Sequence, residues 1–143
     1  MALMQIDHGS PEYHKMVKLR DEILRKPLGL AFSREELEKE RKDILVGAFD
    51  DDRILACCLL TETEADTVRL RQMAVRKNQQ GKGIGHSMML FAETLARDKG
   101  YKKLMMHARD TAIGFYEKQG YKTLGEQFIE VSLPHHLMEK LLV

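Results

Sequence analysis

Excess charge of either sign is missing from this chain. Its 23 lysines and arginines are balanced by 22 aspartates and glutamates, a formal net charge of +1. That balance argues against a dedicated nucleic-acid partner and points to no particular acceptor. Long apolar runs are missing as well. Nothing approaches the ~20 residues that span a bilayer, so no membrane partner is expected. The N-terminus MALMQIDHGS has no basic start followed by an apolar block, so no signal peptide is expected. Cysteine is scarce, and its two copies, Cys57 and Cys58, are neighbours within the apolar run ILACCLL. Adjacent strand residues point to opposite faces, which argues against a disulfide between them. Both read as small buried apolar residues of a reducing, cytoplasmic protein. The six histidines form no recognisable ligand spacing, so no metal is expected. Repeats, low-complexity stretches and linkers are absent too, and residues 1–143 read as one domain with one substantial core.

What is present alternates between strand and helix patterns. Leu3 to Asp7 reads as a short first strand. Ser10-Pro11 reads as an N-cap followed by proline at the first helical position, and Tyr13, Met16, Val17, Ile23 and Leu24 carry a helix to about Arg25. Lys26-Pro27-Leu28-Gly29-Leu30 breaks it. Ser33 and Glu36 form a capping box that opens a short, charged surface helix. Strands over Ile44 to Phe49 and Arg53 to Leu60 flank the hairpin turn Asp50-Asp51-Asp52. In Thr67 to Val75, Val68 and Leu70 share one face while Met73 and Val75 share the other, so the apolar phase slips by one residue. A β-bulge produces such a slip; a strand buried on both faces, with Arg69 and Arg71 on a polar edge, is the competing reading. A helix with Ile84, Met88, Phe91 and Leu95 on its apolar stripe, and Glu93, Arg97 and Asp98 off it, ends near Lys99-Gly100. Lys103 to Ala108 is a central strand. Asp110 can cap a helix that stops at Gly120. Tyr121 to Leu124 and Gln127 to Leu133 are the last strands, and Pro134 opens a terminal helix with Leu137, Met138, Leu141 and Leu142. One helix joins two central strands, as a right-handed parallel crossover requires, and the class is mixed α/β.

Between that strand and helix lies QQGKGIGHSMM, residues 79–89. Glycine inside a helix costs about 1 kcal/mol relative to alanine, so Gly81, Gly83 and Gly85 need a reason. Either this is a plain turn, or an anion sits close to the backbone. At a helix entrance the first N–H groups have no intrahelical partner and the dipole favours negative charge. Glycines let a phosphate approach without a Cβ in the way, and Lys82 adds a positive charge. The order Gly81-Lys82-Gly83 fails the P-loop pattern. A dinucleotide turn would need glycine where His86 stands.

The segment Gln80-Gly81-Lys82-Gly83-Ile84-Gly85 resembles the Gln/Arg-x-x-Gly-x-Gly/Ala signature of the GNAT family of N-acetyltransferases. The preceding RLRQMAV is similar to that family's bulged fourth strand. AIGFYEKQGY, residues 112–121, is similar to its motif around Phe-Tyr-Glu-Lys-x-Gly-Phe/Tyr. The three stand in the family's order and cover about Val68 to Leu124. The RLRQMAV strand and the tail FIEVSLPHHLMEKLL resemble, within the family, a bacterial subgroup of the ElaA and YjcF type. The resemblance implies a single-domain GNAT fold over 1–143, with a mixed, mostly antiparallel sheet, a central parallel pair and helices on both faces. It implies acetyl-CoA as co-substrate and a small-molecule or peptide amine as acceptor, and it leaves room for a homodimer.

The same resemblance assigns roles. Backbone N–H groups of Gly81, Lys82, Gly83, Ile84 and Gly85 hold the pyrophosphate, with Gln80 shaping the entry. Backbone groups of Met73, Ala74 and Val75 pair with the pantetheine arm as an added strand and polarise the thioester carbonyl. Tyr116 is the general acid for the departing thiolate; aromatic packing beside Phe115 is its other reading. Candidates for the base come partly from position: Glu130 by its phase opposite Ile129 and Val131, His107 at the end of a central strand, and His135 by resemblance to a Pro-His tail motif. Arg20, Arg25 and Arg71 are candidate acceptor contacts. One departure is Arg109, which stands where family members often carry an asparagine that contacts the cofactor arm. The expected function is acetyl transfer to a primary amine by direct attack in a ternary complex. A non-catalytic acyl-CoA binding or sensing module on the same fold is the alternative, and a nucleotide-binding protein a more remote one.

Overall fold

A computed structural model describes residues 1–143. Seven strands form one sheet: β1 (Ala2–Ile6), β2 (Ile44–Asp50), β3 (Arg53–Glu64), β4 (Thr67–Val75), β5 (Lys103–Arg109), β6 (Lys122–Glu130) and β7 (Leu133–Leu141). Their spatial order is β1-β2-β3-β4-β5-β7-β6. Every pairing is antiparallel except β4–β5, which is parallel. The helices are α1 (Pro11–Arg20), α2 (Arg34–Glu38), α3 (Ile84–Asp98) and α4 (Ile113–Lys118). None is long and apolar enough to cross a membrane. Most local signals behave as their chemistry requires, but Asp110 caps no helix: its carboxylate is bound by His136 and Gln127 instead. Ser10 accepts from the backbone of Tyr13, the Ser33–Glu36 capping box is closed in both directions, and Asp51 turns the β2–β3 hairpin at φ +53°.

At its centre, in β2 and β3, the sheet is buried on both faces because these strands are apolar at consecutive positions. Tyr13, Met16 and Leu19 of α1 pack on Leu45, Cys57 and Leu59. Ile84, Met88, Met89, Ala92 and Ala96 of α3, with Tyr116 of α4, pack on Val46, Cys58, Val68, Leu104 and Met106. Cys57 and Cys58 thus lie on opposite faces, each fully buried and free.

Four further expectations are corrected. The terminal helix does not form: Leu133–Leu141 is a strand, held between β5 (His107↔Leu137) and β6 (Leu124↔Leu137). The i, i+4 spacing of Leu137 and Leu141 imitates a helix, but β5 has a bare edge that only a strand can satisfy. The turn before it, Val131-Ser132, takes φ of +45° and +64° without the Asn or Gly that usually announces a tight hairpin. The segments around Leu124 and Gln127 belong to one strand, β6, interrupted by a register shift at Gly125, φ +70°. The first helix keeps α geometry only to Arg20; Asp21–Arg25 forms a π turn and Lys26–Leu28 a 3-10 turn, closed by Gly29 at φ +70°. Glu93, expected off the apolar stripe of α3, is only 2% exposed. Its carboxylate is held by Lys140 Nζ at 3.0 Å and the Tyr121 hydroxyl at 2.8 Å, which satisfies a charge that could not otherwise be buried.

Candidate active site

The site begins with one extra residue. Cys57 pairs with Ala74 and Leu59 with Arg71, so Cys58 alone faces both Gln72 and Met73. Gln72 absorbs the irregularity at φ +56°. The bulge returns Met73 and Val75 to the face of Val68 and Leu70, where all four meet one apolar cluster. The phase slip in the sequence is this bulge. Parallel pairing of β4 with β5 runs from Thr67↔Lys103 to Leu70↔Met106 and ends there. Beyond it the strands part, and a cavity of ≈ 430 Å³ opens in the fork, lined among others by Met73, Ala108, Tyr116 and Glu130. On that side the backbone of Gln72 to Val75 has no strand partner.

At the far end of β4 the chain enters the glycine turn. Gly81 and Gly83 take φ of +81° and +82°, with nothing within 4 Å of where a Cβ would stand. Gly83 is the N-cap of α3, and no side chain caps that helix, so its leading N–H groups face open space. Lys82 is exposed beside them. Gln80 Nε2 donates to the Val75 carbonyl at 3.0 Å, which ties the turn to the end of β4. Ile84 is 7% exposed and anchors the helix in the core. Gly85 has a different reason for lacking a side chain: a Cβ there would stand 3.1 Å from the Phe115 ring, so it lets α3 and α4 approach.

Tyr116 lines the cavity and also packs edge-on against Phe115, with ring centroids 5.0 Å apart. The packing reading is met, and the hydroxyl-bearing ring also stands at the cavity. Burial, and next the neighbouring Cys58, push its phenol well above its ordinary value.

The base candidates converge. Glu130 Oε1 is 3.2 Å from His107 Nδ1, and Glu130 Oε2 is 3.7 Å from His135 Nε2. His135 was expected at a helix start; it lies instead on β7, opposite Arg109. It is 4% exposed and stacked on Phe128. Its Nδ1 donates to the Leu133 carbonyl at 2.8 Å. In the neutral ring that bond leaves Nε2 as the bare nitrogen, directed at Glu130. Arg69, read from sequence as a polar edge residue, joins this group. Its Nη2 lies 3.0 Å from His107 Nδ1 and 3.6 Å from Glu130. A guanidinium only donates, so His107 Nδ1 either accepts from Arg69 or carries a proton to Glu130. Gln72, also unassigned from sequence, lines the same cavity with its Oε1 buried and unpartnered.

The remaining arginines separate. Arg20 leaves the candidate acceptor contacts: it is fully buried and grips Glu40 through two bonds of 2.9 and 2.6 Å, with the Tyr13 hydroxyl on the same carboxylate at 2.7 Å. Arg25 lines the cavity but is paired with Glu36 at 3.1 Å and lies over Phe32. Arg71 and Arg109 line it as well.

Known proteins resemble this chain in sequence and in fold. The N-acetyltransferase YjcF of Bacillus subtilis is 28% identical over 125 residues, 85% of this chain and 87% of its own length. A second Bacillus subtilis protein, described as an acetyltransferase, is 32% identical over 74 residues, 52% of this chain; the match spans 50% of that protein's length. The crystal structure of an aminoglycoside 6′-N-acetyltransferase complexed with coenzyme A superposes with a TM-score of 0.86 at 17% identity, covering 100% of this chain and 98% of that one. The family described as acetyltransferase (GNAT) domain matches residues 21–142, and with that match over most of its length the chain belongs to the GNAT family of acyltransferases.

Proposed function

We propose that this chain is an acetyl-CoA-dependent N-acetyltransferase that acts on a primary amine by direct attack in a ternary complex. The observation that carries the reading is the parting of β4 and β5 beyond Leu70 and Met106, beside a glycine turn whose amides lie bare and above a cavity that reaches Tyr116. A long, flexible thioester carrier with a diphosphate fits these features. The open Cβ positions of Gly81 and Gly83 admit the diphosphate to the leading N–H groups of α3. The unpaired edge from Met73 to Val75 suits the amide groups of the arm. The carrier supplies an acetyl thioester, whose C–S bond breaks as the amine forms its C–N bond, with a proton lost at nitrogen and gained at sulfur.

The chain's own groups handle those protons. Glu130, with His135 Nε2 beside it, receives the proton of the incoming ammonium, either directly or through water. Tyr116 delivers one to the departing sulfur. Its raised pKa keeps it protonated at neutral pH, the form an acid must have. The same shift weakens its drive toward a thiolate of pKa about 8.5, so direct contact with the sulfur is required. N–H groups near Met73 to Val75 orient the donor carbonyl oxygen. Isothermal calorimetry with acetyl-CoA, followed by thiol release over a panel of amines, tests the reading. Binding with turnover is expected. Binding without turnover of any amine would identify a sensing module, and absence of binding would remove the proposal.

A further inference from the structure

We propose that the acceptor is a primary amine carrying its own anionic group, a carboxylate or a phosphate, and that Arg69, Arg71 and Arg109 hold that group. The inference rests on the transferase reading and narrows its substrate. Four arginines line the cavity against a single carboxylate, Glu130. Arg25 is accounted for by Glu36. The other three are under-partnered. Arg71 donates to Thr61 at 3.3 Å and reaches Asp43 only at 4.0 Å. Burial pushes the Asp43 carboxyl above its ordinary value, which weakens it as a counter-ion. Arg69 shares Glu130 at 3.6 Å with two histidines, and its Nε is buried with no acceptor. Arg109 stands half-exposed at the end of β5. Half-buried guanidiniums without full counter-charge are costly, and an anion relieves that cost. A polycation would meet the same groups as repulsion, so a polyamine or an aminoglycoside does not suit this cavity, although an aminoglycoside enzyme shares the fold. The other end of a zwitterion is matched too. Gln72 Oε1, a buried acceptor without a donor, and Glu130 together suit an ammonium.

Matched probes separate this inference from the reading beneath it. β-Alanine is compared with β-alaninamide, and O-phosphoethanolamine with ethanolamine; spermidine is the polycation. Thiol release gives kcat/KM, and calorimetry on the coenzyme A-loaded protein gives affinity without turnover. At least one anionic probe should bind and react about 10- to 100-fold better than its neutral twin, the range of a charged hydrogen bond. Which pair shows the larger ratio tells carboxylate from phosphate. Arg71→Gln and Arg109→Gln should each cut that ratio several-fold, lowering the anionic probe more than its neutral twin; folding is checked by thermal melting. The amide's amine loses its proton more readily, so that comparison is weighted against the inference. Equal twins, a preference for spermidine, or no binding of either anionic probe would overturn it. Anionic preference in binding without turnover would keep the cavity assignment and remove the transferase reading; turnover without that preference would do the reverse.

Discussion

Individual side chains make the sharpest predictions. Tyr116→Phe removes one hydroxyl and keeps the ring that packs on Phe115. kcat for amine acetylation should fall by about 10²-fold or more, with acetyl-CoA affinity unchanged by calorimetry. Burial raises the Tyr116 pKa above its usual 10, so the acid form persists beyond the ordinary tyrosine range. The alkaline limb of kcat should therefore not descend through pH 9 to 10 because of this residue, which a pH–rate profile checks. Gly83→Ala and Gly9→Ala form a second pair, since the two glycines share a φ near +81° with open space around them. Each substitution should cost about 1–2 kcal/mol of backbone strain in chemical denaturation. Only Gly83→Ala should also weaken acetyl-CoA, because only there does the new methyl stand where a phosphate must approach. The open turn at Gly81 and Gly83 was legible because its sterics are local; Tyr116 was singled out by resemblance to the family motif. Arg69 was not, since an arginine on an alternating strand reads the same whether it faces water or a cavity.

At the scale of elements, a buried network anchors α1 to the segment after α2. Arg20 and Glu40 are sealed from water, with the Tyr13 hydroxyl donating to the same carboxylate. Glu40→Gln leaves the guanidinium charged and uncompensated, and should destabilise the fold by about 3–5 kcal/mol, read from urea midpoints. The bulge of β4 was legible because a one-residue slip flips every later apolar side chain, and Met73 and Val75 carried that flip. β7 was not legible. Its apolar residues fit either period, and its turn at Val131-Ser132 lacks the residues that favour positive φ. Moving that segment from helix to strand carries His135 from a helix end to a buried place beside Glu130.

Across the whole molecule, the sheet separates two apolar layers and leaves the two thiols in its middle. Burial pushes Cys57 up to about 12 and Cys58 higher still. A thiol reagent at neutral pH should find no reactive group in the native chain and two after denaturation. Any yellow colour developed with Ellman's reagent during catalysis would then report released coenzyme A alone. A native titre above zero would show that the sheet opens.

Residues adjacent in the chain settle what depends on adjacency alone. The caps at Ser10 and Ser33, the glycine turn at a helix entrance, the bulge and the opposite facing of Cys57 and Cys58 all follow from sterics and periodicity over a few residues. The tertiary structure alone decided which polar groups share the cavity. Arg69 and His107 meet across 38 positions of sequence, and His107 and Glu130 across 23. Those meetings depend on where β4 and β5 stop pairing and on the register in which β7 and β6 are added. That register is selected by which side chains become buried against distant strands, and a few consecutive residues do not say which strand the partner is.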